Sequence, residues 1–469
     1  MIKAEVSEQT EAQKHMHYTL YNYDIYPKVF LGDRENTVTV QPLGWHVAFE
    51  KDHAYTVRVL KVDHASPHTY PEYTGRSTLT VTPDEDGCLR VTAFFEGEGE
   101  YYVRIYDNPE AGCRVQLSVY ALAQDMAGKY PYRGDLHLHT RRSDGNQSPE
   151  VVCADYRGYG YDFTVISDHE RYYPSLEAKA YWKDLTDLCI VQGEEVHLPH
   201  NDLHYVNFGG SYSINALVSP RPNTEKAGDD LAWRSLDGNA PDTMTHQEFS
   251  AMIEARAQAI TDLDKKSERM SFAVMEWIYE HVQNGNGLGI FPHPFWLSDL
   301  QQVSEEYTRY VYEKGPFDAF EVLGGENYFS HNGMQTALYY EMKQKGIDRA
   351  IVGSTDSHNS VAEHNRNALL CTTIVFAAQN TDRALIDAIK QKYSVAVDTI
   401  SKEYRLVGDY RLMRYACFLM ENYYPLHDMA CQTEGYLMRR HMAGDARATA
   451  ALSALKGQIP AMIQKYFAL

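Results

Sequence analysis

The chain has 469 residues, 44% of them hydrophobic, which is enough for sizeable cores and about two or three domains. Its 64 acidic residues outnumber 44 basic ones, and a formal net charge of −20 argues against a general binder of nucleic-acid polymers or anionic membranes. The 7 cysteines are scattered without a Cys-x-x-Cys pair, the N-terminus lacks an apolar secretory core, and no apolar run nears the ~20 residues of a membrane span, so a cytoplasmic protein with reduced thiols is expected.

Taken in order, residues 16–122 read as all-β. Short β-branched or aromatic runs at Tyr55–Leu60, Ser77–Val81, Cys88–Phe95, Tyr101–Tyr106 and Arg114–Leu122 are separated by turns such as Pro83-Asp84-Glu85-Asp86-Gly87. Strands at that spacing predict an accessory sandwich over residues 1–125, with no cluster of chemically active side chains.

From Tyr132 strands alternate with helices, the pattern of a parallel α/β sheet or barrel over residues 126–400. The first strand is Gly134–Thr140. Side chains alternate along a strand, so Asp135, His137 and His139 share one face and Leu136 and Leu138 the other. Ser148-Pro149-Glu150 is a helix start. Further strands are expected at Tyr161–Ser167, Leu188–Gly193, Tyr205–Phe208, Gly287–Phe291, Ala319–Leu323, Ala350–Gly353 and Thr372–Phe376, with helices over 246–263, 268–284 and Asp382–Lys392. The polar stretch 211–243 reads as a lid within an insertion spanning about 211–285. Residues 401–469 form a helical region without ligand-like residues, packing on the barrel or on a partner chain, which is compatible with a homo-oligomer.

The predicted strands carry His, Asp or Glu at their C-terminal ends, where α/β barrels place active sites. His137 and His139 come from the first strand, and Asp144 follows in Ser143-Asp144-Gly145. Asp168 and His169 end the second strand; Glu194 and Glu195 follow the third. His204 precedes the fourth, with His197 and His200 as alternatives, and His293, Asp356 and His358 follow later ones. Singly, each has a bland reading: a turn, a helix cap, a solvated acid. Jointly they make a mixed imidazole and carboxylate set suited to Zn, Mn or Fe.

These motifs resemble the PHP (polymerase and histidinol phosphatase) domain. The resemblance is carried by Asp135-Leu-His137-Leu-His139-Thr140, Ser143-Asp144-Gly145, Ile166-Ser-Asp168-His169, Gly193-Glu-Glu195-Val196, His204 before Gly209, Pro292-His293-Pro294 and Gly353-Ser-Thr-Asp356-Ser-His358, within residues 132–398. It implies a distorted seven-stranded β/α barrel and metal-dependent phosphoester hydrolysis. It also implies two or three divalent transition metals. His137, His139, Glu195 and Asp356 would hold the first, Glu195 would bridge to a second held by His204 and His293, and Asp144, His169 and His358 would hold the third.

The activity so implied is hydrolysis of a small organic phosphate or nucleotide by a metal-activated hydroxide. Asp168 is expected to orient a ligand and Arg171, with Arg141 and Arg142, to hold a phosphate. Two other readings stand beside it: a metal-dependent hydrolase of a carboxylic ester, amide or carbamate, and a non-catalytic metal- or carbohydrate-binding protein.

Overall fold

A computed structural model describes residues 19–63, 76–218, 243–297, 299–324, 329–361, 371–399 and 405–469. The chain divides into two units. One comprises residues 1–129, 414–427 and 457–469; the other comprises 130–413 and 428–456.

The first unit is built on β1 (Tyr23–Tyr26), β2 (Val29–Leu31), β3 (Arg34–Pro42), β4 (Tyr55–Lys61), β5 (Arg76–Val81), β6 (Leu89–Phe95), β7 (Gly99–Tyr106) and β8 (Cys113–Leu122). One sheet has the order β1-β3-β6; the other contains β2-β8-β7-β4-β5. Strand β6 shows why the two sheets face each other. Leu89, Val91, Ala93 and Phe95 are buried while Arg90, Thr92 and Phe94 are exposed, the period of two that a half-buried strand requires. Those buried residues meet Val57, Val59, Val103, Leu117 and Val119 of the other sheet in one core. None of these strands is hydrogen-bonded into a sheet of the second unit.

The second unit begins with β9 (Tyr130–Asp135), α1 (Pro149–Gly158), β10 (Phe163–Val165), α2 (Tyr173–Trp182) and β11 (Cys189–Val191). It continues through β12 (Gly193–Val196), β13 (Tyr205–Phe208), α3 (His246–Ala257), α4 (Lys266–Asn284), β14 (Leu288–Phe291), α5 (Glu305–Lys314), β15 (Ala319–Leu323), α6 (Phe329–Gln344) and β16 (Ala350–Gly353). It then adds β17 (Cys371–Ala377), α7 (Asp382–Lys390), β18 (Ser394–Asp398) and β19 (Arg405–Val407). The sheets run β11-β10-β9-β17-β18-β19 and β12-β13-β14-β15-β16.

The expectation is a distorted seven-stranded β/α barrel; among the described residues the strands of this unit lie in two sheets and no continuous ladder closes them. One break lies at Gly193. The run Leu188–Gly193, read as one strand, ends its ladder at Val191, and the chain changes sheets. Gly193 permits this, because an added Cβ would lie 2.6 Å from a Val165 methyl and 2.7 Å from the Asn207 carbonyl. Across the other break hydroxyls replace the ladder: the Gly353 N–H donates to Thr373 Oγ1 at 2.8 Å, and Ser394 Oγ donates to the Ile351 carbonyl at 2.7 Å.

The insertion region contributes α3 and α4. Thr245 and Glu248 form a reciprocal capping box that starts α3. Helix α4 buries Met270, Val274, Trp277 and Ile278, residues three or four apart, in the core of this unit. Of the stretch read as a lid, residues 219–242 lie outside the described residues.

Residues after 400, grouped above as one helical region, form α8 (Tyr410–Asn422), α9 (Tyr424–Met442), α10 (Ala446–Leu455), α11 (Gln458–Tyr466) and β20 (Phe467–Ala468), and are shared between the units. Strand β20 pairs in parallel with β2, Val29 opposite Phe467, and so extends the larger sheet of the first unit. In the second unit α9 crosses α1 closely at Gly435 and Gly158, where a Cβ on Gly435 would come within 2.5 Å of the Gly158 backbone. No described helix is long and apolar enough to cross a membrane.

Candidate metal centre

The segment Leu136–Thr140 leaves the β9 ladder at Asp135, bends at Leu136 and makes one further bridge at Leu138. Leu138 forms a parallel bridge with Ser357, the His139 N–H donates to the Ser357 carbonyl at 2.8 Å, and the Asp356 N–H donates to the His137 carbonyl at 2.8 Å. Two chain segments thus run side by side. His137, His139 and Asp356 converge on one side, while Leu136 and Leu138 are fully buried. The strand is shorter than Gly134–Thr140 because the Asp135 carboxylate accepts the N–H groups of His137 and Thr355, at 3.2 and 3.0 Å. Asp135 thereby ties the two segments together instead of joining the histidines, and burial pushes its carboxyl up to about 7.

Four side chains define an inner set. His139 Nε2 lies 3.2 Å from His137 Nε2 and 2.9 Å from Asp356 Oδ1. Glu195 Oε2 is 3.3 Å from each of the two imidazole nitrogens. A cation ~2.0–2.1 Å from four tetrahedral ligands separates those ligands by roughly 3.3 Å, so these atoms are spaced as ligands of one ion. Glu195 then turns its other oxygen elsewhere: Oε1 is 2.6 Å from His204 Nδ1 and 3.5 Å from His293 Nε2.

Both Glu195 oxygens, His204 Nδ1 and His293 Nε2 are buried without an aligned hydrogen bond. They crowd one space with no aligned hydrogen bond to satisfy them, an arrangement that suits a metal cradle and is costly otherwise. Burial alone would raise the Glu195 carboxyl, but His204, His169 and His137 around it hold it well below the usual range. It is an anion inside the protein.

A third set is more open. Asp144 places Oδ2 3.5 Å from His169 Nε2 and Oδ1 3.4 Å from His358 Nε2, with 42%, 25% and 34% side-chain exposure respectively. The His139 ring stacks between those of His169 and His358, with centroids at 4.2 and 4.4 Å. Each predicted ligand thus lies in one of three adjoining groups, and a fourth group joins His169 and Glu195 to His197, all in the second unit.

Supporting contacts fix the ligands. His358 Nδ1 donates to the Asp356 carbonyl at 2.9 Å, and its Nε2 faces Asp144. Asp168 is fully buried and accepts from the Thr140 N–H, Thr140 Oγ1 and Ser143 Oγ at 2.7, 2.6 and 2.5 Å. It holds the loop that presents His139 and Asp144. Arg171 sits on the following turn, its N–H on the Asp168 carbonyl at 3.2 Å and its side chain half-buried. Arg142 is committed to a two-pronged pair with Glu177 at 2.8 and 2.6 Å, whereas Arg141 is exposed. Glu194 points away from the metal groups, accepting from Ser213 Oγ, the Ile214 N–H and Asn215 Nδ2.

Sequence reasoning missed Glu321. It is fully buried on β15, with Oε2 3.2 Å from His137 Nδ1 and Oε1 accepting the His293 N–H at 3.2 Å. A carboxylate behind a ligating imidazole fixes its tautomer and raises its basicity. The available signal was an acid within the otherwise apolar run Ala319-Phe-Glu-Val-Leu323. Glu321→Gln should weaken metal binding about tenfold and Glu321→Ala nearer a hundredfold, read by chelator competition; unchanged affinity in both would dismiss the role.

Chemically, such a set of ligands is fit for metal-assisted hydrolysis: a dry inner pair of sites shares one carboxylate, beside an open third set where a substrate can enter.

No family model and no curated protein matches the chain. Among solved structures it is similar to a two-domain protein of Bacteroides vulgatus containing a predicted PHP-like metal-dependent phosphoesterase, at 17% identity over 63% of this chain and 71% of that one, TM-score 0.40. A Bifidobacterium adolescentis protein named as a metal-dependent phosphoesterase matches at 15% identity over 48% of this chain and 87% of its own, TM-score 0.30. A Chromobacterium violaceum amidohydrolase matches at 15% identity over the same shares, 48% and 87%, TM-score 0.28. The first of these proteins is the one described as containing a predicted PHP-like domain, the family that the motifs resemble.

Proposed function

We propose that the chain is a metal-dependent phosphoesterase acting on a small organic phosphate or nucleotide. The observation that carries the reading is Glu195, whose two oxygens serve two different groups of imidazoles. His137, His139, Asp356 and Glu195 would hold one cation, Glu195, His204 and His293 a second, and Asp144, His169 and His358 a third, with Zn, Mn or Fe suited to these donors. Divalent cations held there would supply Lewis acidity, which lowers the pKa of water from 15.7 to about 7 and would offset charge on phosphoryl oxygens.

The protein's own residues do the positioning. Asp135 and Asp168 lock the two segments that carry His137, His139 and Asp356, so the ligands need no reorganisation as the reaction proceeds. Burial of His137, His139, Glu195 and His293 keeps bulk water from the inner sets. Arg171 on the turn after Asp168, with exposed Arg141, would meet an incoming anion. A polymer would need a basic track, which a chain with 64 acidic against 44 basic residues does not offer.

The test is turnover of an aryl phosphate beside an aryl carboxylic ester and an aryl carbamate, with Mn²⁺ or Zn²⁺. The phosphate should be hydrolysed fastest, with only mild loss between low and physiological salt. Hydrolysis of the ester or carbamate without the phosphate would overturn the reading, as would no turnover of any of the three.

A further inference from the structure

We infer that His197 is a positioning residue for the outer ligand set: it accepts a hydrogen bond from His169 and so aims the other nitrogen of His169 at a cation held with Asp144 and His358. The inference rests on the metal-centre reading. His169 faces two ways. Its Nε2 lies 3.5 Å from Asp144 Oδ2, in the outer set, while its Nδ1 lies 2.9 Å from His197 Nε2. A neutral imidazole that gives one nitrogen to a metal carries its proton on the other, and that N–H needs an acceptor.

Glu195 Oε2 is also near, at 2.8 Å from His169 Nδ1. That oxygen already faces both His137 and His139 at 3.3 Å, and one spent on the inner cation is a poor acceptor. His197 Nε2 has no such commitment, standing 3.8 Å from Glu195 Oε2. It is the acceptor that the outer set requires.

The placement of His197 is itself built in. Its backbone N–H donates to Asn215 Oδ1 at 3.1 Å, and Asn215 Nδ2 donates to the buried Glu194 at 3.0 Å. Glu194 therefore holds Asn215, which in turn holds the backbone that carries His197. His200 is held elsewhere by Ser250 at 2.9 Å, which makes it the natural control.

The experiment compares the wild-type chain, His197→Ala, His197→Gln and His200→Ala. Each is loaded with Mn²⁺ or Zn²⁺, and metal per chain and the affinity of the most weakly held ion are measured by elemental analysis and chelator competition. His197→Ala should weaken that ion 10- to 100-fold while the tighter ions stay. His197→Gln, whose amide oxygen accepts the same bond but is a poor ligand, should restore most of the affinity, and His200→Ala should match wild type. Unchanged affinity in His197→Ala would overturn the inference. So would a glutamine variant as defective as the alanine one, which would make His197 a direct ligand. A wild-type chain without a third, weaker ion would also sink it while leaving the two-metal hydrolase intact; full metal binding without phosphatase activity would do the reverse.

Discussion

Glu195→Gln should lower kcat for an aryl phosphate by about a thousandfold while the fold survives. Glutamine has the same shape, so packing around this fully buried position is kept. What changes is the charge and one of the two oxygens. Oε2 serves His137 and His139; Oε1 serves His204 and His293. An amide offers a single neutral acceptor and turns an N–H₂ toward the other imidazoles. Loss of one cation, or its displacement, removes several kcal/mol of charge stabilisation, and about 4 kcal/mol is roughly 10³ in rate. Glu194→Gln, by contrast, should disturb the Ser213–Asn215 segment and leave most of the rate. Activity measured beside circular dichroism decides it; a Glu195→Gln enzyme with near-normal turnover would dismiss the bridge.

Metal removal should destabilise the second unit strongly. A cation that binds only the folded chain adds about 4.1 kcal/mol at a thousandfold excess over its dissociation constant, so two filled sites contribute roughly 8 kcal/mol. The ligand groups all lie between His137 and His358, within that unit. Without cations, Glu195 and Asp356 remain buried anions supported only by imidazoles. Urea unfolding with and without a strong chelator should show a clear fall in midpoint for the chelated protein. Equal midpoints would mean that the groups hold no ion in solution.

Most of the candidate ligands could be picked out because they follow a strand end, although His204 precedes β13 and Glu195 lies within β12, and because alternation along a strand is a simple rule. His137 and His139 do face one way, even though the ladder stops at Asp135 and only a bridge at Leu138 continues it. Asp135 shares that face in the alternation, but alternation says nothing of what a carboxylate will bind, and this one accepts the His137 and Thr355 N–H groups. The sheet break at Gly193 was hidden for a different reason: β11 and β12 are almost wholly buried, so neither shows a period that would separate them. The same uniform burial concealed β18. Glu321 could have been found by asking why an acid sits in an apolar strand. Strand β20 could not, since two residues carry no pattern and its partner β2 lies over four hundred positions earlier.

The most direct test of the metal-centre account is stepwise reloading of the chelated protein with Mn²⁺ or Zn²⁺ while aryl phosphate turnover is followed. Turnover should be absent at the start, rise with added metal and level off at two or three ions per chain. Full turnover in the metal-free protein, or saturation at one ion per chain, would contradict it.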